Sequence, residues 1–304
     1  MALTINTNLS SMLVQSNLAK STTQLNQAIE RMTTGYKINH ASDNAAGYSI
    51  ARNWEAMLGS LDIAADNAAT GADMLQTLED TYALVSTHVQ RVRDLTEQAS
   101  NGTYGEQSLQ AIKSEIAARL EEINRIAGNC EYNGIHLMEG EGTHATKGID
   151  IQVGIDGSDS KSKIHLDKDL FAGGDVEKLF TITGEHAYTP TGEDADAIVD
   201  KVASDCAGLS DGVDPSSMLG VIDEVISKIS TRITTLGAAQ NRIDSAVTSI
   251  GVQAENITSS LSTLRDADVA TESSNYIKAQ ILQQASATLL ATANQTPAIA
   301  LNLL

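Results

Sequence analysis

Residues 18–36 read LAKSTTQLNQAIERMTTGY. Within this stretch Leu18, Thr22, Leu25, Ile29, Met32 and Tyr36 recur at spacings that alternate between four and three. That rhythm is the heptad seam of a helix that needs a partner helix. The far end of the chain repeats it with Leu282, Ala285, Leu289 and Thr292. Two sticky terminal helices pair with each other or with copies of the same chain. The first, from about Thr4 to Tyr36, would be roughly 45–50 Å long at about 1.5 Å per residue.

Working inward, Lys37 to Leu58 carries Asn39, Ser42, Asp43, Asn44 and Gly47, residues that favour caps and turns. This predicts an irregular link with a short helix around Ala51–Met57. A long helix follows from about Gly59 to Ser100, with Leu75, Leu78, Tyr82, Val85, Val89, Val92 and Thr96 on one stripe. Asn101-Gly102 stops it. Gln107 to Ala127 carries Leu109, Ile112, Ile116, Leu120 and Ile123 on one face, so the two helices read as an antiparallel hairpin. Met218 to Leu264 holds the strongest periodic stripe, from Ile222 through Ile229, Leu236, Ile243, Ile250 and Leu261 to Leu264, interrupted only by Arg232. The last helix spans about Asp268 to Thr296 and is expected to end at Pro297.

The segment from about Cys130 to Ser217 differs in kind. It is acidic, holds about half of the 22 glycines and contains Pro190 and Pro215. Ile149, Ile151 and Val153 alternate, as do Ile164 and Leu166, with Gly154 to Ser158 as a turn between them; this predicts a β-hairpin. Asn133-Gly134 is a second tight-turn signal. Loosely organised acidic surface is expected after the hairpin. The fold class is therefore mainly α: paired terminal coiled-coil helices plus an elongated helical bundle with a small β-hairpin region.

Composition narrows the function. Aromatics make up 3% of the 304 residues, so the core is aliphatic and suited to narrow helix–helix seams. The formal net charge of −19 argues against nucleic acid, whose phosphates demand clustered Lys and Arg, and against anionic membrane surfaces. No stretch approaches the ~20 apolar residues of a membrane span. Met1 to Leu13 shows no cleavable signal peptide. Cys130 and Cys206 read as separate thiols rather than a disulfide framework, although their pairing is left open. His136 and His144 lie near Cys130 without the spacing of a zinc site. Asp156 and Asp159 read as a solvated acidic turn rather than a calcium site, and Glu121-Glu122 as an exposed helix face. No nucleotide loop, nucleophile elbow or paired acid and base is present, so neither catalysis nor a cofactor is expected.

Specific strings then carry a family resemblance. They are Ile5-Asn6-Thr7-Asn8, Ile29-Glu30-Arg31-Met32 and Asp43-Asn44-Ala45-Ala46-Gly47 near the start. Gln90-Arg91-Val92-Arg93-Asp94-Leu95 and Arg119-Leu120-Glu121-Glu122-Ile123 follow. Leu236 to Arg242, Asp266-Ala267-Asp268, Ala279 to Gln284 and Ala293-Asn294-Gln295 stand towards the end. In this order they resemble bacterial flagellin over about residues 1–137 and 218–304, in a short form without large outer domains. The resemblance implies a terminal coiled-coil domain from residues 1–44 and 265–304. It implies a rod domain from 45–174, with the hairpin, and 217–264, joined by an acidic variable connection at 175–216.

The implied function is a structural subunit, exported by the flagellar type III route without a cleaved leader, that polymerises with itself into the extracellular filament. Leu18, Leu25, Ile29, Met32, Leu282, Ala285 and Leu289 would lie in the coiled coil and between subunits. The implied partners are copies of the chain, an export chaperone, the filament cap and hook-junction proteins, with neither nucleic acid nor membrane insertion. Recognition of the rod domain by Toll-like receptor 5 is implied through Val89, Gln90, Arg91, Asp94, Leu95 and Glu115. Leucine is common in the family at the first of these and glutamate at Asp94. The alternatives are a hook-filament junction protein and, on the helices alone, a coiled-coil scaffold.

Overall fold

A computed structural model describes residues 8–138, 140, 147–155, 162–183, 187–190, 192, 194–210 and 214–301, the last six by backbone alone. The start at Thr4, His144, and the turn with Asp156 and Asp159 lie outside them. The described residues hold seven α-helices: α1 Leu9–Thr34, α2 Ala45–Ala99, α3 Glu106–Gly128, α4 Val176–Phe180, α5 Ala195–Cys206, α6 Pro215–Arg265 and α7 Val269–Leu301. Two small antiparallel hairpins pair β1 Glu131–Tyr132 with β2 Ile135–His136, and β3 Ile149–Gln152 with β4 Lys163–Leu166. The chain divides into a terminal unit, Met1–Gly59 with Gln253–Leu304, and a central unit, Ser60–Val252.

In the central unit one apolar cluster joins three long stripes. Leu75, Leu78, Tyr82, Val85, Val89 and Val92 come from α2, Ile116, Leu120 and Ile123 from α3, and Ile222, Val225, Ile229, Leu236 and Ile243 from α6; all are inaccessible to solvent. The three-four periodicity selects these positions because it keeps them on one helix face. Beyond Ile243 the α6 stripe thins out, and Val247 is exposed. In the β1–β2 turn Asn133 (φ 49°) and Gly134 (φ 79°) both adopt left-handed backbone, the requirement of a type I′ hairpin turn. Ile149 pairs with Leu166 and Ile151 with Ile164, so the hairpin turns its apolar face inward.

Four expectations are corrected. The link after α1 is short, because α2 starts at Ala45 and runs unbroken through Gly59, where the sequence predicted a fresh start. Asn44 initiates it, its side-chain oxygen accepting from the Gly47 N–H at 2.9 Å, and a helix already nucleated propagates through a single glycine. The region after β4 is not loose surface: Leu170, Phe171, Val176, Leu179, Phe180, Val202 and Cys206 are buried in the main cluster. Arg232 does not break the α6 stripe but is buried in it. Its Nη1 donates to the Tyr82 hydroxyl (3.0 Å) and the Gly173 carbonyl (3.2 Å), and its guanidinium lies over the Tyr82 ring. Finally, α7 continues past Pro297 to Leu301. Proline removes the N–H that would bond the Ala293 carbonyl; the Asn8 amide donates to that carbonyl instead, at 2.8 Å.

In the terminal unit α1 and α7 run antiparallel. Asn8 meets Ala293, Ser11 meets Asn294 (2.7 Å), Thr22 meets Gln283 (3.2 Å) and Arg31 meets Glu272 (3.2 Å). The α1 C-terminus is closed by Gly35, left-handed at φ 74°, whose N–H reaches the Arg31 carbonyl. Asp268 opens α7 by accepting from Ala270 N–H (2.9 Å) and the Thr271 hydroxyl (2.8 Å).

Candidate functional site

The candidate site is a set of surfaces. The first is the α1–α7 pair. Its fully enclosed contacts are small or polar: Ser21 and Ala28 on α1, Glu272, Ala279 and Ser286 on α7. Each set steps by seven residues, so a heptad is present, but its inward position is occupied by Glu272 and by small side chains that let two backbones approach closely.

The large residues assigned to the seam from sequence lie beside this line. Leu18 and Leu25 are half-buried, and Ile29, Met32, Leu282 and Ala285 are exposed. Leu289 is 57% exposed, and Leu9, Met12, Leu13, Ile277 and Ile281 are more than half exposed. Within a single chain the bulkiest stripe is therefore not the enclosed one. The signal that marks the true seam is the recurrence of small residues at 21, 28, 279 and 286, which hydropathy weighting passes over.

The second feature is a clasp where α1 and α6 hand over to their neighbours. Lys37 N–H donates to the Arg265 carbonyl (2.7 Å) and Ala267 N–H to the Gly35 carbonyl (2.8 Å), forming an antiparallel bridge between Tyr36 and Asp266. The Arg265 guanidinium lies 3.9 Å over the Tyr36 ring and pairs with Glu55. In the link, Asp43 accepts from the N–H groups of His40 (3.0 Å) and Asn39 (3.1 Å), bonds that hold its carboxyl below the usual carboxylate range.

The third surface lies on the central unit. Arg91 on α2 donates through Nε (3.0 Å) and Nη2 (2.8 Å) to one oxygen of Glu115 on α3. Both side chains remain nearly half exposed, and Gln90 and Asp94 are exposed on the same helix. Val89 and Leu95 are buried in the core, so they support this face from beneath rather than form part of it.

Cys130 and Cys206 are both free and buried. Burial pushes the Cys130 thiol up and the Cys206 thiol to about 12. Among the described residues no group of three or more His, Cys, Asp or Glu side chains could hold a metal, and no helix is long and apolar enough to cross a membrane.

Residues 5–143 match the bacterial flagellin N-terminal helical region, and residues 219–304 match the bacterial flagellin C-terminal helical region. The chain belongs to the bacterial flagellin family. It is 34% identical to a flagellin of Bacillus subtilis over 99% of both chains, and 35% identical to a flagellin of Xenorhabdus nematophila over the whole of both. It is also 29% identical, over 99% of each chain, to the flagellar filament 33 kDa core protein of Treponema phagedenis. Flagellins are a structural family, the subunits of flagellar filaments, and the two matched regions contain both helices of the terminal pair.

Proposed function

We propose that the chain leaves the cell by the flagellar type III route and polymerises outside it through its paired terminal helices. An export chaperone, the filament cap and hook-junction proteins serve as its accessory partners. The observation that carries this reading is the apolar surface left open on the pair. Leu9, Met12, Leu13, Ile277, Ile281 and Leu289 are between 54% and 73% exposed, although burying a side chain of this size is worth about 1.5–3 kcal/mol. Copies of the chain packed side by side would cover these residues, and heterologous contacts that do not close yield a helical polymer. The face around Arg91 and Glu115, with Gln90 and Asp94, is the surface offered to Toll-like receptor 5.

Deleting residues 269–304 tests the assembly reading. The expected product is a soluble chain that keeps the central helices by circular dichroism and forms no filaments in the electron microscope after seeding. Long filaments from the deleted chain would overturn it.

A further inference from the structure

A polar niche of about 230 Å³ opens between α1 and α7, lined by Gln24, Gln27, Arg31, Glu272, Asn275 and Lys278. Its charges do not balance within one chain. Both oxygens of Glu272 are engaged, Oε1 by Arg31 Nη1 (3.2 Å) and Oε2 by Asn275 Nδ2 (3.4 Å). Arg31 Nε is buried and has no acceptor among the described residues. No described residue forms an ion pair with Lys278, whose side chain is exposed. The niche thus presents two cations against one carboxylate, together with a buried donor that lacks an acceptor, an arrangement proteins rarely leave unanswered.

Lys278 also borders a second, apolar depression formed with Ile277, Ile281 and Leu282. A body that covers that strip meets the niche at Lys278, which lines both. The chain itself carries 39 acidic against 20 basic residues, so a second copy readily brings a carboxylate. We propose that the niche is a socket for an Asp or Glu side chain of a second copy of this chain, held by Lys278 Nζ with the partly exposed Arg31 guanidinium beside it. The apolar strip supplies adhesion, and the socket fixes how the neighbour is placed along α7, since charge pairs contribute register more than affinity. This inference rests on the assembly reading above and names the polar contact within it.

The test uses full-length chains, half of them ¹⁵N-labelled, assembled together and treated with a zero-length carbodiimide that condenses a lysine amine with a carboxylate. The expected result is a heavy–light crosslink between Lys278 and an Asp or Glu, identified by mass spectrometry. In parallel, Lys278→Gln is expected to raise the critical concentration for assembly about fivefold and to flatten its dependence on NaCl, with Lys278→Arg restoring both. Filaments in which Lys278 crosslinks only within its own chain overturn the inference while leaving the assembly reading intact. So does a Lys278→Gln chain that assembles at the wild-type concentration and salt dependence, which would mark a niche filled by water. A shift of wild-type assembly by inorganic phosphate, without heavy–light crosslinks, would assign the niche to a free anion and equally overturn it. Failure of the wild-type chain to form filaments under any condition would overturn the assembly reading and the socket with it.

Discussion

The terminal and central units use the same periodicity to opposite ends. In the central unit the large aliphatics of three helices meet and vanish from solvent: Leu78, Val85, Ile116, Leu120, Ile229 and Ile243 are all at 0%. In the terminal unit the enclosed line of the helix pair is Ser21, Ala28, Glu272, Ala279 and Ser286, while Leu9, Leu13, Ile277, Ile281 and Leu289 are more than half exposed. A helix stripe therefore says that a surface will be covered, not by what. The central unit is completed by its own chain. The terminal unit offers two helices zipped by small residues, with their adhesive surface still available.

The sharpest way to break this contrast is to place the same charge in each unit. Ile243→Asp buries an unpaired carboxylate in the central cluster and is expected to cost several kcal/mol, enough to abolish its cooperative melting. Ile281→Asp alters a side chain that is 59% exposed, so melting of the central unit is expected to stay put while filament formation is lost. An unchanged melting curve for Ile243→Asp would mean that the stripe had been placed on the wrong face.

The seam itself is the next largest. Ala279→Leu forces three extra carbons between α1 and α7, an overpacking expected to cost about 1–3 kcal/mol of helix pairing. Hydrogen exchange at residues 18–32 in assembled material reads it. Leu289→Ala, on the exposed side, should leave that protection unchanged within a single chain and weaken only assembly.

A pH series sharpens the other half of the comparison. The Cys206 thiol is pushed to about 12 by burial, against an unfolded value near 8.5. Because the folded value is the higher one, the native state keeps a proton that the unfolded chain sheds. The stability associated with this thiol is full below about pH 8.5 and falls by up to about 1.4 kcal/mol per unit as pH rises towards 12. Urea midpoints from pH 8 to 10 should decline more steeply for the wild type than for Cys206→Ala. Cys130 and Tyr188, also raised by burial, leave a residual slope in both.

The smallest effect on stability is expected at Arg91→Ala. Its pair with Glu115 is nearly half exposed, so central melting should shift by no more than about 0.5 kcal/mol. Binding of the monomer to the Toll-like receptor 5 ectodomain, by surface plasmon resonance, is expected to weaken about tenfold, equivalent to about 1.4 kcal/mol. Equal affinity would remove Arg91 from that surface.

What could be read in advance follows from what each signal measures. The stripes of α2, α3 and α6 were legible because large apolar residues at helical spacing report burial directly, and Asn133-Gly134 was legible because both positions need left-handed backbone. The α1–α7 seam was not, since Ser21, Glu272 and Ser286 carry no hydropathy signal and their role emerges only when two backbones meet. The continuity of α2 past Gly59 and of α7 past Pro297 was hidden for a related reason. Single breakers are decided by the neighbours that compensate them, and the Asn8 amide on the Ala293 carbonyl lies almost the whole chain away in sequence. The buried run around Phe171 and Phe180 was masked by the acidic residues interspersed with it.

The bridge between Tyr36 and Asp266 closes a ring of about 230 residues with two backbone bonds, which in an unfolded chain would cost about 5 kcal/mol of configurational freedom. Two such bonds are worth only about 1–3 kcal/mol. The ring is therefore uneconomical until the residues within it have already folded and brought its ends near each other, after which they meet at high effective concentration. The clasp's two bonds alone thus cannot hold the two ends side by side while the middle of the chain is still unfolded; the contacts along α1 and α7 must add to them before the adhesive helices stay paired.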